Sequence, residues 1–507
     1  MTGDKATTGR TPRHIRAAGL LIAVLCAGTA SADSPRSDAE VVKPTADFTR
    51  PEPYELLPAG AATSRKRVNA DAFSNSSANM SFERELEFKI GNGFFKRVWV
   101  SAPASTQAAD GLGPLFNARS CQRCHLKDGR GHPPEATWPD DNAVSMFLRL
   151  SIPPRTQADR AALASGRLSV IPEATYGGQL QDLSIQGHLP EGRMHITYAE
   201  ETVGLSGGET ARLRRPTYKV TDLGYGPMHP RTMLSPRVAP PMIGLGLLEA
   251  VADEHVLALA DPDDRDGDGV SSRPNMVWSA KYGKVLLGRF GWKAGNPTIE
   301  DQAAGAFSGD IGISTPLFPS GAGECTERQT ACRAAPTGNS AQHVEVEAPR
   351  KVLDLVLFYS RNLAVPARRD VGDSDVLAGK RAFYESGCIA CHRPKFITRT
   401  DPPGMPEQSR QLIWPYTDLL LHDMGDGLAD GRPEGRADGR EWRTAPLWGI
   451  GLTRTVNGHT YFLHDGRARN LLEAILWHGG EARKSRDRVV AMPPEERRNL
   501  IRFLESL

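Results

Sequence analysis

Apolar residues along this chain come in short, separated bursts rather than long periodic blocks. Three bursts have helical spacing. Val376, Gly379 and Phe383 recur about one turn apart between Asp375 and Tyr384, and a run from Leu353 to Leu363 keeps the same period. Leu500, Phe503, Leu504 and Leu507 share one face of a segment that opens near Pro494. A small Gly opposite an aromatic ring is how two helices cross closely, so the segments around 379 and 503 are expected to pair. Two runs alternate as strands do, His195 to Tyr198 and Tyr218 to Val220, within a Pro- and Gly-dense region from 140 to 240. Residues 33–80 have little periodicity and read as an extended or partly ordered arm. Val365-Pro366 reads as a hinge, because the residue before a proline disfavours helix.

At 507 residues the chain exceeds a single hydrophobic core, and 39% apolar with 24% charged residues is ordinary for globular protein. The first 32 residues read as a secretory signal: Lys5, Arg10, Arg13 and Arg16 precede an apolar run from Ala17 to Ala27, and Ala30-Ser31-Ala32 offers a cleavage site. That run is too short to span a bilayer, so no transmembrane span is expected. Bulky Leu25 before Cys26 is wrong for lipoprotein processing, so cleavage near Ala32 and release into the periplasm are expected. The formal charge of +2 falls to near neutrality without this segment, which gives no basis for binding nucleic acid or an anionic membrane.

Of seven cysteines, one leaves with the signal and four stand in two C-x-x-C-H motifs, Cys121-Cys124-His125 and Cys388-Cys391-His392. Two thiols three residues apart can add to the two vinyl groups of haem while the adjacent imidazole reaches the iron. A thioredoxin-like redox pair would need a strand-to-helix βαβ context that neither motif has, and a zinc site would need partner cysteines already used. Two covalently bound haems c are therefore expected. The remaining pair, Cys325 and Cys332, reads as a disulfide in an oxidising compartment, with a second metal site as the weaker reading. With the helical bursts, these motifs predict a mainly α fold of two cytochrome c-like haem domains, 81–365 and 370–507, with long loops and a few short strands inserted in the first. Asp264, Asp266 and Asp268 alternate before Gly269 like the first half of a calcium loop, although the twelfth position is Asn275 rather than Glu; a bound calcium and a polar turn are both open.

Two stretches give the sequence a family likeness. Phe116-Asn117-Ala118-Arg119-Ser120-Cys121 runs into Lys127-Asp128-Gly129-Arg130-Gly131, and Glu441-Trp442-Arg443-Thr444-Ala445-Pro446-Leu447 precedes His464-Asp465-Gly466-Arg467. The chain thereby resembles the bacterial di-haem peroxidases and MauG-type enzymes, most closely the di-haem oxidoreductase branch sometimes labelled thiol oxidoreductase.

The resemblance implies roles residue by residue. In the relatives a His-Asp-Gly is followed fourteen positions later by a distal Met, or by Tyr in MauG-type enzymes; that position here is His478, which implies a second haem ligated by His392 and His478. Met424 is the rival ligand. Relatives also carry a Trp between the haems, a Gln ten positions on, and a Glu ten beyond that. Trp292 and Gln302 keep the first spacing, while Asp310 stands eight after Gln302, shorter by a methylene. The resemblance implies that Trp292 relays electrons, Gln302 fixes water or peroxide, and Asp310 moves a proton. The first haem has no assured distal ligand, with His132, Met228, His229 and Met242 all open.

The leading expectation is an enzyme that reduces hydrogen peroxide or a similar oxidant at the N-terminal haem. Electrons would enter through the C-terminal haem from a small periplasmic donor, a cytochrome c or cupredoxin. A non-catalytic two-haem electron carrier and MauG-like oxidation of a protein or metal substrate are the alternatives. Thiol chemistry is the poorest fit, since the motif sulfurs would be tied up as thioethers.

Overall fold

The computed structural model describes residues 37–106, 108–134, 145–339 and 345–507; the expected leader, residues 1–32, lies outside them. The chain divides into a short unit ending at Val41 and a unit from Val42 to Leu507. In the first, the Ser37 N–H donates to Glu40 Oε2 at 2.8 Å. Everything below concerns the second.

Two helix crossings organise it. The Ser374–Glu385 helix is capped by the Asp373 side chain, which accepts from the Asp375 and Val376 N–H groups. The Pro494–Ser506 helix opens on a proline with Glu495 and Glu496 in its first turn, where the dipole favours negative charge. They meet at Gly379: a Cβ there would overlap the Asn499 carbonyl and stand 2.8 Å from Phe503 Cβ. The Phe383 and Phe503 rings pack at a tilt beside this contact, centroids 5.3 Å apart.

A second crossing repeats the device. The Phe82–Lys96 helix meets the Arg350–Arg361 helix at Gly91, where a Cβ would overlap the Leu355 carbonyl and lie 2.9 Å from Tyr359 Cβ. The hydrophobic pattern blurs this helix because its apolar residues point both ways. Phe88 and Phe95 are buried, whereas Phe82, Leu86 and Ile90 are exposed.

The expectation of a mainly α fold is corrected. Helix accounts for 31% of the chain and strand for 17%, and the described residues hold six two-stranded sheets, all antiparallel. Nor are the strands confined to an N-terminal insertion: Phe396–Ile397 pairs with Leu412–Ile413, and Leu421–Asp423 with Glu441–Arg443. With 50 Gly and 38 Pro, much of the chain is kept out of helix, and many of the intervening segments find backbone partners as ribbons instead.

The two alternating runs of the sequence pair with one another in the longest ribbon, Arg193–Gly204 against Thr210–Thr221, with Ile196 opposite Tyr218. This hairpin packs on the C-terminal half. The Tyr218 hydroxyl donates to Asp465 Oδ2 at 2.8 Å, and the Arg215 guanidinium lies 5.1 Å over the Trp477 ring. Residues 42–80 are pinned as well: Ser64 bridges to Pro366, and buried Glu55 takes the Arg368 guanidinium and Lys380 Nζ. Cys325 and Cys332 form a disulfide. No helix of the described residues is long and apolar enough to cross a membrane.

Candidate functional site

Both C-x-x-C-H motifs open on one continuous cavity of about 430 Å³, lined by Cys121, Cys124 and His125 on one side and by Cys388, Cys391, His392 and His478 on the other. None of the four motif cysteines is in a disulfide. Each helix crossing delivers an aromatic to its motif: the Phe95 ring is 6.3 Å from His125, and Phe383 is 6.1 Å from His392.

The three imidazoles are held alike. Nδ1 of His125 meets the Pro240 carbonyl at 2.8 Å, Nδ1 of His392 the Tyr416 carbonyl at 2.9 Å, and Nδ1 of His478 the Ala474 carbonyl at 2.7 Å. A ring whose Nδ1–H donates to a carbonyl keeps Nε2 as a lone-pair donor, the form a metal ligand needs. Burial pushes His125 and His392 down to about 4 and lowers His478, so all three are neutral at pH 7. His478 is close enough to His392 to depress it further. Met424, the rival to His478, also lines the cavity.

Trp292, Gln302 and Asp310 all line this cavity, so the structure brings the expected residues together. Trp292 donates its indole N–H to the Val238 carbonyl at 2.8 Å. Gln302 sits on the Ile299–Ala306 helix and accepts from Asn296 Nδ2 at 2.9 Å, which leaves its own amide N–H groups for the cavity. Eight positions of α-helix would leave Asp310 roughly 80° around from Gln302. The helix instead widens into a π-turn over Phe307–Ile311, which turns less per residue and carries Asp310 back toward the Gln302 face. That turn is pinned beside the first motif by the Asn117 and Ala118 N–H groups, which donate to the Asp310 carbonyl at 2.9 and 3.0 Å. Burial raises the Asp310 carboxyl above its ordinary range, against the opposing effects of Arg149 and of a 2.9 Å hydrogen bond from Gln179 Nε2.

Of the four candidate sixth ligands for the first motif, only Met242 lines the cavity. It stands two residues from Pro240, whose carbonyl holds the His125 imidazole. Asp264, Asp266 and Asp268 lie away from this cavity, their carboxylates within 4.8 Å of one another at the surface. Asp266 and Asp268 each accept the backbone N–H two residues on, as an Asx turn does, and Asp264 accepts that of Gly269.

Several residues to which the sequence assigned no role complete the lining. Arg130 and Arg443 flank Trp292: the Arg130 guanidinium lies 5.1 Å over its ring, and Arg443 Nε donates to the Gly291 carbonyl at 2.9 Å. Their side-chain hydrogen bonds reach only carbonyls, and burial lowers both to about 10. His464 stacks on Trp442 with centroids 3.7 Å apart, and its buried Nε2 has no hydrogen-bond partner among the described residues, the Asp465 carboxylate standing 3.8 Å away. All three fall within the stretches that carry the family likeness, yet no role could be read from those stretches, because it depends on segments hundreds of residues apart meeting in space.

Thiols in pairs, neutral imidazoles, an apolar wall and buried guanidiniums without carboxylate partners are the donor set that a haem, with its vinyl groups, iron and two propionates, requires. The residues fit that group at both motifs.

No curated protein matches the chain. Among solved structures it is similar to Kuenenia stuttgartiensis hydrazine synthase pressurized with 20 bar xenon, at 13% identity over 70% of this chain and 90% of that one, with a TM-score of 0.26. The family model described as "di-haem oxidoreductase, putative peroxidase" matches residues 58–507, and the chain belongs to that family of haem oxidoreductases.

Proposed function

We propose that this chain is a periplasmic c-type di-haem peroxidase. Cys121, Cys124 and His125 would hold one haem, and Cys388, Cys391, His392 and His478 the other, each through two thioether bonds to the cysteines. The first would supply the iron chemistry that reduces peroxide, and the second would pass in electrons from a small redox protein, a cytochrome c or cupredoxin.

The observation that carries this reading is the convergence of Trp292, Gln302 and Asp310 on the cavity that both motifs share. The chain's own groups have definite tasks. Gln302 donates its free amide hydrogens to an oxygen in the cavity. Asp310, raised by burial, takes a proton from one peroxide oxygen and returns it to the other. Trp292, with its N–H satisfied by Val238, offers a fixed aromatic path between the two sides. A plain electron carrier has no use for a buried, proton-ready carboxyl beside an open site.

Mixing the purified ferric protein with hydrogen peroxide tests the proposal. A high-spin fraction that is consumed on mixing is expected. A protein entirely low-spin and spectrally silent to peroxide refutes it. A calcium ion at Asp264, Asp266 and Asp268 is a separate proposal. It predicts terbium luminescence that calcium displaces and that is lost in Asp266→Ala, and wild-type protein without such luminescence counts against it.

A further inference from the structure

The cavity is lined by one arginine whose hydrogen-bonding capacity is unspent. In the Met146–Ser151 strand, Met146, Leu148 and Leu150 face the core, and the alternate positions Phe147 and Arg149 line the cavity. Arg149 is bridged antiparallel to Gln179. Paired residues project from the same face, which sets the Arg149 side chain beside that of Gln179, and Gln179 Nε2 is bonded to Asp310 Oδ1.

The other cavity arginines are all engaged. Arg130 and Arg443 donate to carbonyls, Arg237 to Ser235 and Glu434, Arg289 to the Leu248 carbonyl and Asp253, and Arg486 to Asp487. Arg149 makes no side-chain hydrogen bond and no ion pair among the described residues; its guanidinium lies 5.1 Å over the Phe147 ring. Its charge is nonetheless felt by Asp310, Glu324 and Glu434, and by Arg432. Of the three carboxylates, Glu434 already belongs to Arg237 and Arg432.

We infer that Arg149 is a catalytic residue of the peroxide site: its free guanidinium donates hydrogen bonds to a small anion bound in the cavity beside Asp310, and to the departing oxygen of peroxide as the O–O bond breaks. The inference rests on the peroxidase reading. In the overall reaction one peroxide takes two electrons, from the small redox protein, and two protons, and leaves as two waters. The O–O bonding pair goes with the departing oxygen, which gains its proton from Asp310. Until that transfer is complete the departing oxygen carries negative charge, and a planar five-donor cation is suited to hold it. The bland alternative is that Arg149 only balances the buried Asp310 and Glu324.

Fluoride and cyanide titrations of the ferric holoprotein separate these ideas. Bound fluoride relies on hydrogen-bond donors around it, whereas cyanide is held mainly by its bond to iron. Arg149→Leu is expected to weaken fluoride binding roughly ten- to a hundredfold, the worth of a lost charge-assisted hydrogen bond, and to leave cyanide affinity within about threefold. Arg149→Lys should recover part of the fluoride affinity. Intact cyanide binding in each variant shows that the site is folded. Fluoride affinity unchanged in Arg149→Leu overturns the inference and leaves the peroxidase reading standing. A wild-type protein that binds no cyanide overturns the open first haem and takes the inference with it.

Discussion

Gly91 and Gly93 lie two positions apart on the Phe82–Lys96 helix, yet the same substitution should act on them in opposite directions. Alanine gains about 1 kcal/mol over glycine inside a helix, through backbone entropy that glycine loses on folding. Gly93 is exposed, and a Cβ there meets nothing within 4 Å, so Gly93→Ala should stabilise by about 0.5–1 kcal/mol. At Gly91 the obstacles are the Leu355 carbonyl and, at 2.9 Å, Tyr359 Cβ, both part of the facing helix and unable to swing aside. Forcing a methyl into such a contact costs about 1–3 kcal/mol or more, which more than cancels the propensity gain and leaves Gly91→Ala about 1–2 kcal/mol less stable than wild type. The two variants should therefore differ by roughly 1.5–3 kcal/mol in urea unfolding followed by far-ultraviolet circular dichroism. Because Phe95 of this helix stands 6.3 Å from His125, Gly91→Ala should also perturb the absorption of the first haem, and Gly93→Ala should not. If Gly91→Ala is as stable as Gly93→Ala, the close crossing is wrong.

Three further outcomes are expected. His478→Met should shift the low-spin absorption of the second haem and raise its potential, since thioether ligation raises potentials; an unchanged spectrum and redox titration would exclude His478 as a ligand. Asp310→Asn should slow the reaction with peroxide by roughly 10²–10³ and abolish the limb over which the wild-type rate climbs as pH passes through the raised Asp310 pKa, and stopped-flow rates across pH decide it. Glu191 is raised by burial from 4.5 to about 8. A carboxyl raised on folding contributes stability that is fully present below its unfolded pKa and lost as pH rises through the folded one. The wild type should therefore lose stability between about pH 4.5 and 8, and Glu191→Gln should flatten that slope in urea melts at several pH values. A slope as steep in the variant would place the loss elsewhere.

Some of this protein is local, and the sequence alone determined it. A C-x-x-C-H motif needs only five consecutive residues to present two thiols and an imidazole, so both motifs were legible without any fold. The crossing at Gly379 was legible too, because Val376, Gly379, Phe383 and Phe503 each keep the period of their own helix. The matching crossing at Gly91 escaped notice: Phe82, Leu86 and Ile90 spread apolar residues onto the solvent side and hide the buried stripe. The share of strand was misjudged for a related reason, since two- and three-residue ribbons such as Leu421–Asp423 with Glu441–Arg443 have too few positions to show a period.

The inside of the cavity was decided by tertiary structure alone. Asp310 faces with Gln302 because a π-turn intervenes, and that turn is secured by N–H groups of Asn117 and Ala118, nearly two hundred residues earlier. Arg149 reaches the site only because its strand sits against Gln179, and Arg130 covers Trp292 only because the Tyr461 and Leu463 carbonyls hold it there. A charged side chain in one sequence carries no mark of whether water or a buried partner will meet it. Its surroundings come from distant segments, and desolvation within them sets both its charge and its use.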